Sequence, residues 1–190
     1  MILPSPTIII AFIAGVILLI VLVLLNVKHK RSSAYRMNAM LSPYIKDEIK
    51  DVILPDGVGG LLEIEHLILM EQGIMLIETY PMEGNLFGAE AIELWSQIVE
   101  GRSYKFSNPL HHIHISRQAV QILAPKTPVF CRVIFNGNSA FPKGMPNEVS
   151  VLDSLTNDLL AIKSEKPRAI EEVWQQIKII ANNNRHNESR

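Results

Sequence analysis

The chain has one cysteine in 190 residues, Cys131, so it can form no internal disulfide and has no cysteine pair for zinc. It also lacks a Walker loop, a Gly-x-Gly-x-x-Gly fingerprint and a nucleophile elbow, which removes the common nucleotide-binding and serine-hydrolase classes. The formal net charge is −1, so there is no global basic field directed at nucleic acid or anionic lipid. No internal repeat is visible. The apolar neighbours of Cys131, which are Val129, Phe130, Val133, Ile134 and Phe135, mark it as a buried strand thiol, in keeping with a reducing compartment.

Charge is missing altogether from Ile8 to Leu25, where 15 of 18 residues are Ile, Leu, Val or Phe. As a helix this run is about 27 Å long, close to the hydrocarbon thickness of a bilayer. A cleaved secretory signal needs a basic stretch before the run and a small-residue cleavage site after it, and both are missing. Lys28, Lys30, Arg31 and Arg36 follow instead, and such residues are retained on the cytoplasmic side. The expectation is one N-terminal transmembrane helix within 1–27 with its N-terminus outside, a basic juxtamembrane linker over 28–35, and a cytoplasmic body over 36–181. A polar tail, 182–190, follows. The body is the size of one ordinary domain.

Within that body, Met37, Met40, Leu41 and Tyr44 recur at helical spacing, predicting a helix over 33–45. Val52 to Leu54 reads as a strand closed by the turn residues Pro55, Asp56 and Gly57. Leu61 to Met70 and Ile74 to Tyr80 read as two strands joined by a glycine-containing link of hairpin length. Ile92, Trp95 and Val99 are spaced for a helix over 89–99, with a loop insertion as the alternative. Asn108 followed by Pro109 is a helix start, because Asn caps free amides and Pro is pre-set for the first turn. That helix should reach Leu123, burying Leu110, Ile113, Val120 and Leu123, and stop before Pro125. Val129 to Phe135 and Val149 to Leu152 are strands, and 155–162 and 168–181 are helices, the latter with a stripe of Ile170, Val173, Trp174, Ile177 and Ile180. This order makes a mixed α/β layer arrangement.

Several fragments in order and spacing identify a family resemblance: Asp51-Val-Ile-Leu-Pro before a glycine turn, Ile64-Glu-His, Gly73-Ile-Met-Leu-Ile-Glu-Thr, Trp95, and Phe106-Ser-Asn-Pro-Leu. Over roughly 47–161 the chain resembles the nuclease-related domain family, a branch of the PD-(D/E)XK nuclease-like fold. The resemblance implies a restriction-endonuclease-like mixed sheet flanked by helices. It also implies that an acidic residue on the second strand and the glutamate of a Glu-x-Lys on the third hold a divalent metal. The lysine then helps position and activate water.

Carried over by position, Glu65 stands where the family usually has Asp, and Glu78 matches the third-strand glutamate. These are the metal candidates. Tyr80 stands in place of Lys, and His112 in place of a Gln four residues after the Asn of the Asn-Pro motif. A tyrosine hydroxyl carries no positive charge at neutral pH, so it cannot neutralise charge developing on an attacked phosphate as Lys does. Glu65, Glu78 and His112 are therefore read as a vestigial or weak catalytic set. Glu63 is a solvated strand carboxylate, and Tyr80 an aromatic filling the vacated lysine space. His66 falls on the opposite strand face from Glu65 and is structural.

His111, His112 and His114 crowd the start of the Asn-Pro helix. A pair of them with Glu65 and Glu78 would make a zinc or manganese ligand set, the alternative being surface and capping roles. Arg102, Tyr104, Lys105 and Phe106 could touch a nucleic-acid backbone, or be the edge of the insertion before the Asn-Pro helix. Two functions stand open. One is a non-catalytic nucleic-acid- or protein-binding component at a bacterial inner membrane, part of a membrane machine. The other is an active Mg- or Mn-dependent nuclease acting on DNA or RNA. No small-molecule cofactor is expected.

Overall fold

A computed structural model describes the backbone of residues 6–165, 167 and 169–188; side chains are described for 15–25, 28, 33–165, 167 and 169–184. The first helix, α1 (Pro6–Leu41), is continuous through residues 28–35 and ends in a 3-10 turn at Ser42–Tyr44. Its last turns bury Met37 and Leu41 in the domain core, against Ile68, Met75, Ile77 and Leu155.

The expected transmembrane helix is not supported: among the described residues no helix is long and apolar enough to cross a membrane. Residues 8–14 of the expected span lie outside those whose side chains are described.

Five strands make the main sheet: β1 (Asp47–Pro55), β2 (Leu61–Leu69), β3 (Ile74–Tyr80), β7 (Val129–Phe135) and β9 (Val149–Val151), in the order β1-β2-β3-β7-β9. β1, β2 and β3 run antiparallel, while β7 pairs in parallel with both β3 and β9. The long connection from β3 to β7 carries helix α2 (Pro109–Leu123). The sheet is covered on both faces, because alternation sends Leu76, Cys131 and Val133 to the side of α2 and Met75, Ile77 and Ile134 to the side of α1 and α3 (Leu152–Leu160). The last helix, α4 (Ile170–Glu188), packs along β1. Its Trp174 Nε1 and Lys178 Nζ both donate to Asp47 Oδ2, at 2.8 and 2.7 Å.

The helix expected over 89–99 is absent. Residues 84–107 instead form β4 (Gly84–Phe87), β5 (Leu94–Val99) and β6 (Arg102–Ser107), which with β8 (Ser139–Ala140) build a second sheet in the order β6-β5-β4-β8. Glu100 and Gly101, with φ of 50° and 75°, form the tight link between β5 and β6. Trp95, fully buried, is the anchor of this sheet, packing on Phe106, Phe135 and Phe141 at ring separations of 6.0 to 6.3 Å. Gly88 permits this: a Cβ there would lie 2.0 Å from the Trp95 ring. The C-terminal helix also outruns its expected end at 181, reaching Glu188.

Candidate functional site

Helix α2 begins where the Asn-Pro pair requires. Asn108 Oδ1 accepts from Leu110 N at 2.9 Å, capping the first turn, while its Nδ2 donates to the carbonyls of Glu90 at 3.0 Å and Ile92 at 2.9 Å. One buried side chain thus fixes both the helix start and the loop leaving β4. From there the helical repeat sets the next residues. Ile113 points into the core with no exposure, so its neighbours His112 and His114 project about 100° to either side, along opposite flanks of the helix.

His112 meets Glu78. Its Nδ1 lies 2.6 Å from Glu78 Oε1, and the Tyr80 hydroxyl donates a long bond of 3.4 Å to Glu78 Oε2. Glu78 continues the row Ile74, Leu76 on the face of β3 toward α2, which explains why a carboxylate there is only 6% exposed. Burial, with a contribution from the Glu65 charge, holds the Glu78 carboxyl above the usual range, against the opposing pull of the His112 hydrogen bond and charge. Burial and the adjoining Glu78 charge push Tyr80 up to about 12, so its hydroxyl stays neutral.

Glu65 extends from β2 opposite Glu78, one step beyond the last paired residues His66 and Ile77. Its carboxylate accepts from both the backbone N of Thr79, at 2.7 Å, and the Thr79 hydroxyl, at 2.5 Å. Both oxygens are therefore engaged by one threonine where β2 and β3 separate. The bound geometry places Glu65, Glu78 and His112 in one cleft of about 400 Å³, lined further by Asp51, Glu63, Thr79 and Tyr80.

Asp51 and Glu63 were not among the expected site residues. Strand pairing puts both on the same face as Glu65, since Lys50 faces His66 and Val52 faces Ile64 on either side of Asp51, and Glu63 pairs with Ile53. Asp51 holds a left-handed backbone, φ 51°, in the middle of β1. Such conformations are costly for residues other than glycine and concentrate at functional sites. The available sequence signal was the residue type, since Asp tolerates that region better than most.

The other expectations divide. His66, on the opposite face as anticipated, is buried and bonded to Glu48 at 2.7 Å, and burial lowers its pKa despite that partner. The histidine ligand set is not assembled at the cleft: His111 is exposed, and His114 turns away to Glu148. Arg102, Tyr104, Lys105 and Phe106 lie on β6, with Lys105 bonded to Ser96 Oγ at 2.7 Å. None of them lines the cleft, and among the described lining residues there is neither lysine nor arginine.

Four carboxylates are a suitable donor chemistry for Mg or Mn, and Glu65 and Glu78 are the pair that could hold the ion. A bound ion would there polarise a phosphate and acidify water. The arrangement is nevertheless spread: among the described residues, the three donors of His, Cys, Asp or Glu gathered within 4.8 Å of one another are His114, Cys131 and Glu148, outside this cleft.

Comparison with known proteins agrees with the geometry. An uncharacterized protein of Bacillus anthracis is 27% identical over 88 residues, which are 46% of this chain and 42% of that protein. The chain thus spans less than half the length of the curated relative it matches. No solved structure matches the chain. The nuclease-related domain family matches residues 28–136, more than half of the chain, taking in β1 to β6, α2 and β7. With Glu65, Glu78 and the Asn-Pro helix start brought to one cleft within that span, the protein belongs to the nuclease-related domain family.

Proposed function

We propose that this protein is a non-catalytic member of its family, whose acidic cleft binds a basic segment of a protein partner. The observation that carries the reading is the engagement of the cleft's own groups. Glu65 is held on both oxygens by Thr79, Glu78 is held by His112, and Tyr80, neutral across the physiological range, fills the place of the lysine. Phosphodiester cleavage needs a cation aimed at the charge that develops on the phosphate, and among the described residues no lining one carries a fixed positive charge. The charge also selects the ligand. Asp51, Glu63, Glu65 and Glu78 present a negative field that repels a nucleic-acid backbone and attracts lysine and arginine side chains.

The alternative, a metal-dependent nuclease, draws support from the shared face of those four carboxylates, which a divalent ion could gather. The two readings separate in a binding experiment. In chelator, a labelled lysine-rich peptide should bind the full chain with an affinity that falls as salt rises and falls again in Asp51→Asn with Glu63→Gln, while a labelled single-stranded DNA should not bind. DNA binding that depends on Mg or Mn, with no peptide binding, would support the nuclease reading instead.

A further inference from the structure

A second cluster of chemistry-bearing side chains stands on the far flank of α2. We propose that His114, Cys131 and Glu148 form a binding site for a borderline transition metal of the zinc class, independent of the acidic cleft. His114 comes from α2, Cys131 from β7, and Glu148 from the turn just before β9; the imidazole nitrogen, thiol sulfur and carboxylate oxygen all lie within 4.8 Å of one another. The register makes this meeting. Cys131 lies on the α2 side of β7, and Glu148 is fixed beside that strand by the bond from Val133 N to its carbonyl at 2.8 Å.

The donor set chooses the ion. Zinc takes thiolate, imidazole and carboxylate at about 2.0 to 2.3 Å, in tetrahedral geometry, often with three protein ligands and one water. Magnesium and calcium avoid sulfur. Tetrahedral angles at those lengths set donor separations of roughly 3.3 to 3.6 Å, so side-chain adjustments on the order of 1 Å receive the ion. Without it the donors satisfy one another: His114 Nε2 bonds Glu148 Oε2, and Cys131 Sγ donates to Glu148 Oε1 at 3.2 Å. An entering ion takes the place of the imidazole and thiol contacts to the carboxylate.

Arg117 supplies the outer partner. Its Nη1 donates to Glu148 Oε1 at 3.0 Å, which leaves Oε2 for the metal and orients the carboxylate as outer hydrogen bonds do at metal centres. Cys131 is almost fully buried, while the His114 and Glu148 side chains are about a quarter exposed, at 25% and 27%, so the site opens on one side. Burial and Glu148 push the free thiol up to about 12, so it holds its proton until a metal displaces it to solvent. The bound ion would fasten α2, β7 and the loop before β9 together.

Cobalt(II) titration of the purified full chain tests this, after removal of metals by chelator. The expected result is a thiolate-to-cobalt charge-transfer absorption that saturates at one equivalent and is displaced by zinc. It should be absent in Cys131→Ser and weakened at least about 10-fold in affinity in His114→Asn and Glu148→Gln. A wild-type chain that shows no such absorption at large excess of cobalt overturns the proposal. So does an absorption equally strong in His114→Asn and Glu148→Gln, since that marks a thiol acting alone. The readout is a property of Cys131, so neither result bears on the acidic cleft.

Discussion

Replacing Asn108 should unfasten the helix start that delivers His112. The side chain makes one capping bond and two close bonds to loop carbonyls, at 2.9, 3.0 and 2.9 Å, and is 3% exposed. Loss of an N-cap costs about 1 kcal/mol, and each neutral hydrogen bond about another 1 kcal/mol net. Asn108→Ala should therefore destabilise by about 3 kcal/mol, more than 100-fold in the folding equilibrium. Asn108→Ser keeps a capping oxygen but cannot reach Glu90 or Ile92, so it should lose about 2 kcal/mol. Urea unfolding followed by tryptophan fluorescence measures both as midpoint shifts at constant slope. Equal losses in the two variants would refute the capping role, and losses under about 1 kcal/mol in both would refute the whole assignment.

Three further outcomes are expected. Glu78 titrates higher folded than unfolded, so between the ordinary glutamate value of 4.5 and its raised value the folded state keeps a proton the unfolded state has released; stability from this group falls as pH rises through that window. Urea midpoints across pH should show that slope in the wild type and not in Glu78→Gln, and a parallel pair of profiles would contradict it. Gly88→Ala drives a Cβ to 2.0 Å from the Trp95 ring and should cost about 1–3 kcal/mol, read by the same unfolding assay; a neutral variant would mean the second sheet is anchored otherwise. Asp51→Gly should be more stable than Asp51→Val, because a β-branched residue at φ 51° is strained by about 1–3 kcal/mol, and the reverse order by calorimetry would remove that strain as the cause.

What the sequence made legible was whatever local chemistry dictates. Asn108-Pro109 marked the start of α2 to the residue, and the apolar run Val129 to Phe135 is β7 as expected. The family fragments carried Glu65, Glu78 and His112 to one cleft. The second sheet was not legible, because it is small and largely solvent-facing. Of its helix-like triplet, Ile92 and Val99 are not in the core and only Trp95 is, so the spacing reported no real helical face. The informative signal was Glu100-Gly101, a hairpin link. Thr79 engaging Glu65, and Glu148 meeting His114 and Cys131 from 34 and 17 residues away, are tertiary contacts that no local pattern encodes. The helix expected over 33–45 from the spacing of Met37 and Leu41 is the last part of α1, whereas its continuity through the basic residues 28–32, read as a linker, was not expected from the charge pattern.

The most direct test of the central claim is a single-turnover cleavage assay on DNA and RNA with Mg or Mn, comparing the full wild-type chain, Glu78→Gln, and the Tyr80→Lys, His112→Gln double variant. The wild type should show no cleavage beyond that of Glu78→Gln, and metal-dependent cleavage should emerge in the double variant as a cation returns to the cleft. Robust cleavage by the wild type that disappears in Glu78→Gln would contradict it and establish the cleft as a working nuclease site.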